Sequence, residues 1–553
     1  MSPAAPRRHS EETSVPYTPA QRLTLLACIL GSSAAFLDGT IVNIALPAIR
    51  ASLHGGLATQ EWVVDAYLLT LGALLLVGGS LGDVYGRRRV FAVGVAGFGV
   101  ASLACTAAPN AGFLIGARAI QGVTAALLVP STLALIMDTF DDRQRASAIG
   151  SWTAWTGIAT VAGPLLGGLL IEIGSWRWVF VVNVPLVLAT LWLVRHIPPG
   201  RQATGGHIDW IGGALGAIGL GGPIYALIEQ PIYGWGDPRV WGPLLIGGLL
   251  LLAFVAWEHR CSAPMLPLGM FRERNFAVGN LATLCFYGAI NVITFFVVVF
   301  LQQVAGYSPL AAGLSLLPLS ILTFLLAKRF GALSDRFGPR LFMGFGPIVA
   351  GVGMVLLLKI GANPRYLTDM LPGVVLFGLG LALTVAPLTA AVLGAAGSAH
   401  SGVASGINNA VARVAGLVAI AVVGAVVASH FSASVHDGLA PGGGAGVPQS
   451  AVTQAASATL QVRPPNAVPA AQRTHVQGVL EDASVSSLHL ALRLAALLAI
   501  TSGVLSLLGI RNPRREVSAE KTPGGAICGA SSGLPTPRIA PPQQSAHGLS
   551  SSG

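Results

Sequence analysis

Charge is what this sequence has least of. Only 10% of its 553 residues are Asp, Glu, Lys or Arg, against 53% apolar residues and a mean hydropathy of +0.70. A soluble chain carries about a quarter charged residues, so a string of water-soluble domains is excluded. The charges are missing over lengths that a bilayer dictates. None falls between Arg89 and Arg118, between Arg145 and Glu172, from Asn275 to Ala327, or from Met370 to Ala412. About 20 apolar residues cross the hydrocarbon as a helix, so the first two gaps hold one span each and the last two a pair each. The period-two alternation of a transmembrane barrel is absent from these runs.

Other absences narrow the chemistry. Cys28, Cys105, Cys261, Cys285 and Cys528 are spaced for neither a disulfide framework nor a zinc site. No G-x-x-x-x-G-K-[ST] phrase exists, so nucleotide hydrolysis within this chain is not the energy source. No His/Asp/Glu cluster with catalytic or metal spacing shares one depth, which argues against a membrane-embedded enzyme and calls for no metal or cofactor.

What is present is an all-α pattern of fourteen spans, near residues 23–47, 62–82, 90–108, 111–137, 147–171, 178–195, 208–229, 240–257, 276–302, 309–328, 341–359, 368–392, 402–428 and 489–510. Loops after even-numbered spans hold Arg87, Arg88 and Arg89, then Arg143 and Arg145, Arg195 and Arg201, Arg260, Arg272 and Arg274, and finally Lys328, Arg329, Arg336 and Arg340. Loops after odd-numbered spans hold only Arg50, Arg177, Arg239, Lys359 and Arg365. Basic loops stay in the cytoplasm, so both termini are expected inside and the net charge of +10 reads as topology rather than nucleic-acid binding. The first span continues past Asp38 to Pro47, and removing it as a signal peptide would spoil this alternation, so it is read as retained.

One charged phrase occurs twice: GSLGDVYGRRRV at 79–90 and GALSDRFGPRL at 331–341. Gly79, Asp83, Gly86, Arg87 and Arg88 stand in the first copy, and Gly331, Asp335, Arg336, Gly338 and Arg340 in the second. Each closes an even span, the second and the tenth. The repeat therefore predicts two pseudo-symmetric six-helix bundles, residues 21–197 and 261–510, with two inserted helices in 198–260. Residues 1–20 and 511–553 are expected to be disordered and cytoplasmic, and 431–488 to form one external loop.

The duplicated phrase resembles the loop motif of the major facilitator superfamily, G-x-L-x-D-x-x-G-R-R, and the plan resembles that superfamily's fourteen-helix drug:proton antiporter branch. LDGTIVNIALP at 37–47 is similar to the branch's first-helix signature, RAIQGVTAA at 118–126 to its fourth-helix motif, and GPLLGG at 163–168, with Gly150 upstream, to its fifth-helix antiporter motif. FLQQVAGYSPLAAGLSLLP at 300–318 and GINNAVARVAG at 406–416 also resemble segments of the branch. Val84, Ala159 and Asp65 depart from the usual pattern. The resemblance implies a monomeric major facilitator fold in the cytoplasmic membrane that exports amphipathic or cationic drugs, or an antibiotic, in exchange for protons. A nutrient uptake carrier and a non-transporting receptor or scaffold remain as alternatives, separated by the direction of flux and by ligand-dependent proton movement.

Roles for residues follow from cost. An intramembrane charge costs at least about 2.5 kcal/mol, so Asp38 and Arg118, at similar depth, should face the interior and share a polar network. Burial favours the neutral acid and a nearby guanidinium the charged one, and switching between those settings is what proton coupling needs. Asp65, with Glu61, is expected at the outer interface near Arg50, with a second proton or cation site as the alternative. Asp83 and Asp335 are expected to latch the cytoplasmic gate. Gly163, Pro164, Gly167 and Gly168 should let the fifth helix cross a partner closely and pivot. Phe286, Tyr287, Asn291, Phe295 and Gln302, with Arg413, are the candidate wall of the substrate cavity.

Overall fold

The structure, a computed structural model, describes residues 17–197, 208–262, 264–440 and 447–512. The expected disordered ends up to residue 16 and from residue 513, together with Cys528 and Arg201, lie outside the described residues. Within them every regular element is helical. The chain runs through α1 (Pro19–Leu53), α2 (Leu57–Tyr85), α3 (Arg87–Thr106), α4 (Ala111–Thr139), α5 (Asp142–Ile173), α6 (Trp178–Val181) and α7 (Asn183–Arg195). It continues through α8 (Trp210–Tyr233), α9 (Pro238–Arg260), α10 (Arg274–Gln303), α11 (Pro309–Ser315), α12 (Leu317–Phe337), α13 (Pro339–Leu356) and α14 (Leu371–Ala395). It ends with α15 (Gly397–Gly438), α16 (Gln449–Ser457) and α17 (Arg473–Gly509). Fourteen stretches of the described residues are helical, long and apolar enough to cross a bilayer, which makes this a multi-pass membrane protein.

Two spans are jointed. The sixth is α6 plus α7, parted at Val182 just ahead of Pro185, whose missing N–H cannot bond back to Val181. The tenth is α11 plus α12, parted at Leu316 ahead of Pro318. Helices α1 to α7 pack on one another, as do α10 to α15 with α17, while the α8–α9 hairpin lies against α2 and α15. Apolar burial drives little association inside lipid, so the helices meet through small residues. A Cβ added at Gly78 would sit 1.9 Å from the carbonyl oxygen of Ala126, and one at Gly380 would sit 2.4 Å from the nitrogen of Ala350.

The duplicated phrase adopts the same backbone in both copies. Gly86 turns the chain from α2 to α3 at φ +94°, and Gly338 turns it from α12 to α13 at φ +87°, a region that side chains disfavour. The arginine two positions after each glycine repeats its task as well. Arg88 Nε donates to the carbonyl of Val194 at 3.1 Å, and Arg340 Nε donates to that of Leu507 at 2.7 Å. Each thereby caps orphan carbonyls at the C-terminal end of the last helix in its own bundle. The end of the molecule that carries these arginines is called the basic end below, and the opposite one the far end.

One expectation is corrected. Residues 431–488, expected as a loop, are mostly helical, because α15 runs on to Gly438, α17 starts at Arg473 and α16 lies between. Phe431, Val435 and Leu439 on α15 and Val476, Leu480 and Ala483 on α17 recur at helical spacing and bury Ala451, Val452 and Ala455 of α16. At 42 residues, α15 measures about 63 Å, roughly twice the hydrocarbon thickness, so its outer part stands beyond the bilayer.

Replacing Gly86 or Gly338 by Ala should cost about 1–3 kcal/mol each, read as a lower melting temperature in detergent. Exchange of Gly248 in α9, which has open space around it and an ordinary helical backbone, should change it little.

Candidate functional site

The polar network begins with one carboxylate. Asp38 and Arg118 are 0% and 1% exposed, and Arg118 Nη1 donates to Asp38 Oδ2 at 2.6 Å. The first half of the chain surrounds the pair. Arg118 Nη1 also donates to Gln121 Oε1 at 2.7 Å and its Nε to the carbonyl of Val63 at 2.9 Å, while the guanidinium lies 4.3 Å from the Tyr67 ring centroid. Gln121 Nε2 donates to Asp38 Oδ1 at 3.0 Å, and Asn183 Nδ2 donates to the same oxygen at 3.1 Å. Both amides also reach Ser102 Oγ, at 2.8 and 3.2 Å. Five helices, α1, α2, α3, α4 and α7, therefore meet on one ion pair. Arg118, Gln121 and Asn183 thus occupy three of the roughly four lone-pair sites of the Asp38 carboxylate. Asn183 and Ser102 were missed in the sequence; each is a polar residue inside an otherwise apolar span, where an unbonded amide or hydroxyl is costly.

The two halves join at the far end. Arg50 Nη1 donates to Gln303 Oε1 on α10 at 2.6 Å and to the carbonyl of Thr459 at 3.1 Å, and its Nη2 reaches Gln461 at 3.3 Å. Gln302 Nε2 donates to the carbonyl of Ile44 at 3.0 Å. The fifth span, α5, works there by its small residues. Gly163 and Gly167 admit α1, since added Cβ atoms would sit 2.0 Å from Thr40 Oγ1 and 2.8 Å from the Ile41 side chain. Gly168 admits α11 of the other half, with Leu310 Cα 2.5 Å from such a Cβ, and the carbonyl of Pro164 abuts Gly313 equally closely. Nearer the basic end, Gly157 of α5 lies 4.0 Å, counted from an added Cβ, from the Phe324 ring of α12. Gly150 has nothing within 4 Å, and Trp155, Ile158, Phe324, Leu325 and Phe337 are exposed.

A second seam, between α2 and α15, stays shut further along. Gly72 accommodates Arg413, Gly406 accommodates Leu76, and Gly424 accommodates the carboxylate of Glu61. Arg413 reaches from the second half across to Phe36, 5.8 Å from the ring centroid, and Phe36 meets Trp152 edge-on at 6.4 Å. Of the expected cavity wall, Tyr287 and Asn291 are half-buried, whereas Phe286 and Phe295 are fully buried in the core. These two phenyl rings therefore support the wall rather than forming its face in this conformation. Asn408 and Asn409 bond within the second half, to Thr283 Oγ1 and to the carbonyl of Ser405.

The gate residues are bonded inside their own halves. Arg87 pairs with Asp83 at 3.0 Å and with Asp138 of α4 at 2.5 Å. In the second copy Pro339 stands where Arg87 stands in the first, so Asp335 has no counterpart of that pair, and Gly331 lies near Ala386 and Arg336 near the Phe337 ring. Gly79 faces Pro130. A cavity of about 910 Å³ opens here, lined by Arg87, Arg88, Arg89, Arg145, Arg195 and Asp138 among others. It touches none of the residues expected to meet substrate.

One placement overturns expectation. Asp65 and Glu61 are 0% and 2% exposed and do not meet Arg50, whose bonds go to Gln303 and residues 459–461. Glu229 accepts from Trp62 Nε1 at 3.1 Å.

The sequence profile of the Major Facilitator Superfamily matches residues 28–420. The chain is 37% identical over 413 residues to the puromycin resistance protein pur8 of Streptomyces alboniger, covering 72% of this chain and 80% of that one. It is 33% identical over 541 residues to the tetracenomycin C resistance and export protein of Streptomyces glaucescens, covering 93% and 97%. Among solved structures, an inward-facing, unoccupied bacterial homologue of the human lysosomal transporter Spinster superposes with a TM-score of 0.60 at 18% identity, covering 90% of this chain and all of that one.

Arg118→Ala would strand a buried carboxylate and should cost about 3–5 kcal/mol of stability. Asp38→Asn combined with Arg118→Gln should recover most of that loss, as checked by thermal unfolding of the single and double variants in detergent.

Proposed function

The chain belongs to the Major Facilitator Superfamily, and from that premise we propose that it exports amphipathic drugs or an antibiotic across the cytoplasmic membrane in exchange for protons, with both termini inside. The observation that carries the coupling is the Asp38–Arg118 pair at 2.6 Å, walled off from solvent. A proton arriving at Asp38 cancels the charge that holds Arg118, and the guanidinium must then seek another partner. Rotation of the Asn183 amide would bring its oxygen, which has no hydrogen-bond partner, towards the new carboxyl proton. Arg118 also holds α2 through the carbonyl of Val63 and the ring of Tyr67, so loosening the pair bears on the seam between α2 and α15.

The rocking motion uses the rest. Contacts through Gly168, Gly313, Arg50 and Gln302 shut the far end here, so this state would receive cargo from the cytoplasm. Phe36, Trp152, Tyr287, Asn291 and Arg413 would hold it, aromatic faces against its flat apolar part. The guanidinium of Arg413 favours a neutral or acidic amphiphile over the lipophilic cation that the sequence alone also allowed. In the opposite state Asp83, Arg87 and the second copy around Asp335 would close the basic end.

Inverted vesicles with an imposed pH gradient test this, using puromycin and tetracenomycin C as trial cargo. Native protein should drive proton-linked movement of at least one, and Asp38→Asn should cut it at least about tenfold without loss of folded protein. Full proton-linked export by the asparagine variant would defeat the assignment.

A further inference from the structure

Glu61 and Asp65 sit one turn apart on α2, on the face that meets α15. Their surroundings are unusual for acids. Both carboxylate oxygens of Asp65 and Oε1 of Glu61 are buried with no hydrogen-bond partner, and neither residue joins an ion pair among the described residues. The carboxylate of Glu61 lies directly against Gly424, where an added Cβ would fall 1.9 Å from Oε1. The charged groups that face Glu61 are Asp65 on its own helix and Glu229 on α8, both acidic. Arg50 bonds Gln303, Thr459 and Gln461, Arg118 pairs with Asp38, and Arg413 of α15 lies farther along the same seam, against Gly72.

An ionised carboxylate without donors in such a place costs several kcal/mol, and two side by side cost more through mutual repulsion. The sealed seam is therefore compatible with two neutral acids and incompatible with two naked anions. We propose that Glu61 and Asp65 form a second proton-loading site, filled from the far-end solution, whose neutralisation is the condition for α2 to close against α15. Each carboxylate binds one proton from water while the far end is open. Closure then buries the two carboxyl groups, and reopening of the far end returns their protons to the same far-end water. The absence of a side chain at Gly424 is what lets the neutral carboxyl of Glu61 lie flat in the seam. The site rests on the alternating-access reading, but on neither the identity of the cargo nor the role of Asp38.

The test needs no cargo. Spin labels on the exposed far-end positions Ser52→Cys in the first half and Asp437→Cys in the second, in an otherwise cysteine-free full chain in lipid, report the separation of the halves across a pH titration. With native acids the separation should be short at low pH and lengthen as pH rises. In Glu61→Gln with Asp65→Asn the opening should vanish or move up by more than about two pH units. Asp38→Asn should keep a pH-dependent opening, which separates failure of this site from failure of the Asp38 assignment. The amide variants imitate the protonated acids, so they should melt no lower than native protein. An unchanged titration in the double amide variant would overturn the proposal, as would a clear loss of its melting temperature. Closure at alkaline pH on adding sodium alone would also overturn it, and would assign a metal cation to the seam instead.

Discussion

Arg118 reaches Asp38 at 2.6 Å in a place where neither is exposed to solvent, and the rest of the first half is arranged to make that tolerable. Desolvating two charges costs more than their attraction returns unless the spare protons and lone pairs are also bonded. Gln121, one turn from Arg118 on α4, and Asn183, Ser102 and the carbonyl of Val63, on the three further helices α7, α3 and α2, supply those bonds. The ion pair is thus a knot. A change in the charge of Asp38 cannot remain local, because the same guanidinium grips α2, and α2 forms one side of the seam with α15.

Around that knot the two halves repeat a design and break it at one residue. Gly86 and Gly338 make the same turn, and Arg88 and Arg340 cap the same kind of helix end. Pro339, however, replaces Arg87, so only the first half can tie Asp83 to Asp138. The basic end is consequently stiffened within the first bundle. In the second, the corresponding turn is secured through Arg340 and Asn512 to the end of α17 instead. Halves that are each internally braced, and joined mainly at the far end and along one seam, are suited to moving as bodies.

The spans, their number, the repeated turn and the partners Asp38 and Arg118 were legible because bilayer thickness and the cost of buried charge write themselves into composition. Three things were not. Residues 431–488 form helices whose apolar stripe is too weak to resemble a span, so turn-rich strings such as APGGGAGVPQ dominated the reading. Phe286 and Phe295 were indistinguishable from Tyr287 by type and spacing, since which aromatic faces the core depends on neighbours from α15 and α17. Asp65 and Glu61 were read as interfacial because they stand near a helix end. Only the arrival of α15 with a glycine at 424 shows that they are sealed in.

The central claim is that Asp38 exchanges a proton and that Arg118 feels it. Infrared spectroscopy of the purified carrier in lipid during acid titration tests this directly, native protein against Asp38→Asn. The account predicts that native protein gains a protonated-carboxyl stretch together with a shift of a guanidinium mode, and that both are missing from the variant. Identical difference spectra for the two proteins would mean that Asp38 keeps its charge and its partner throughout, contradicting the account.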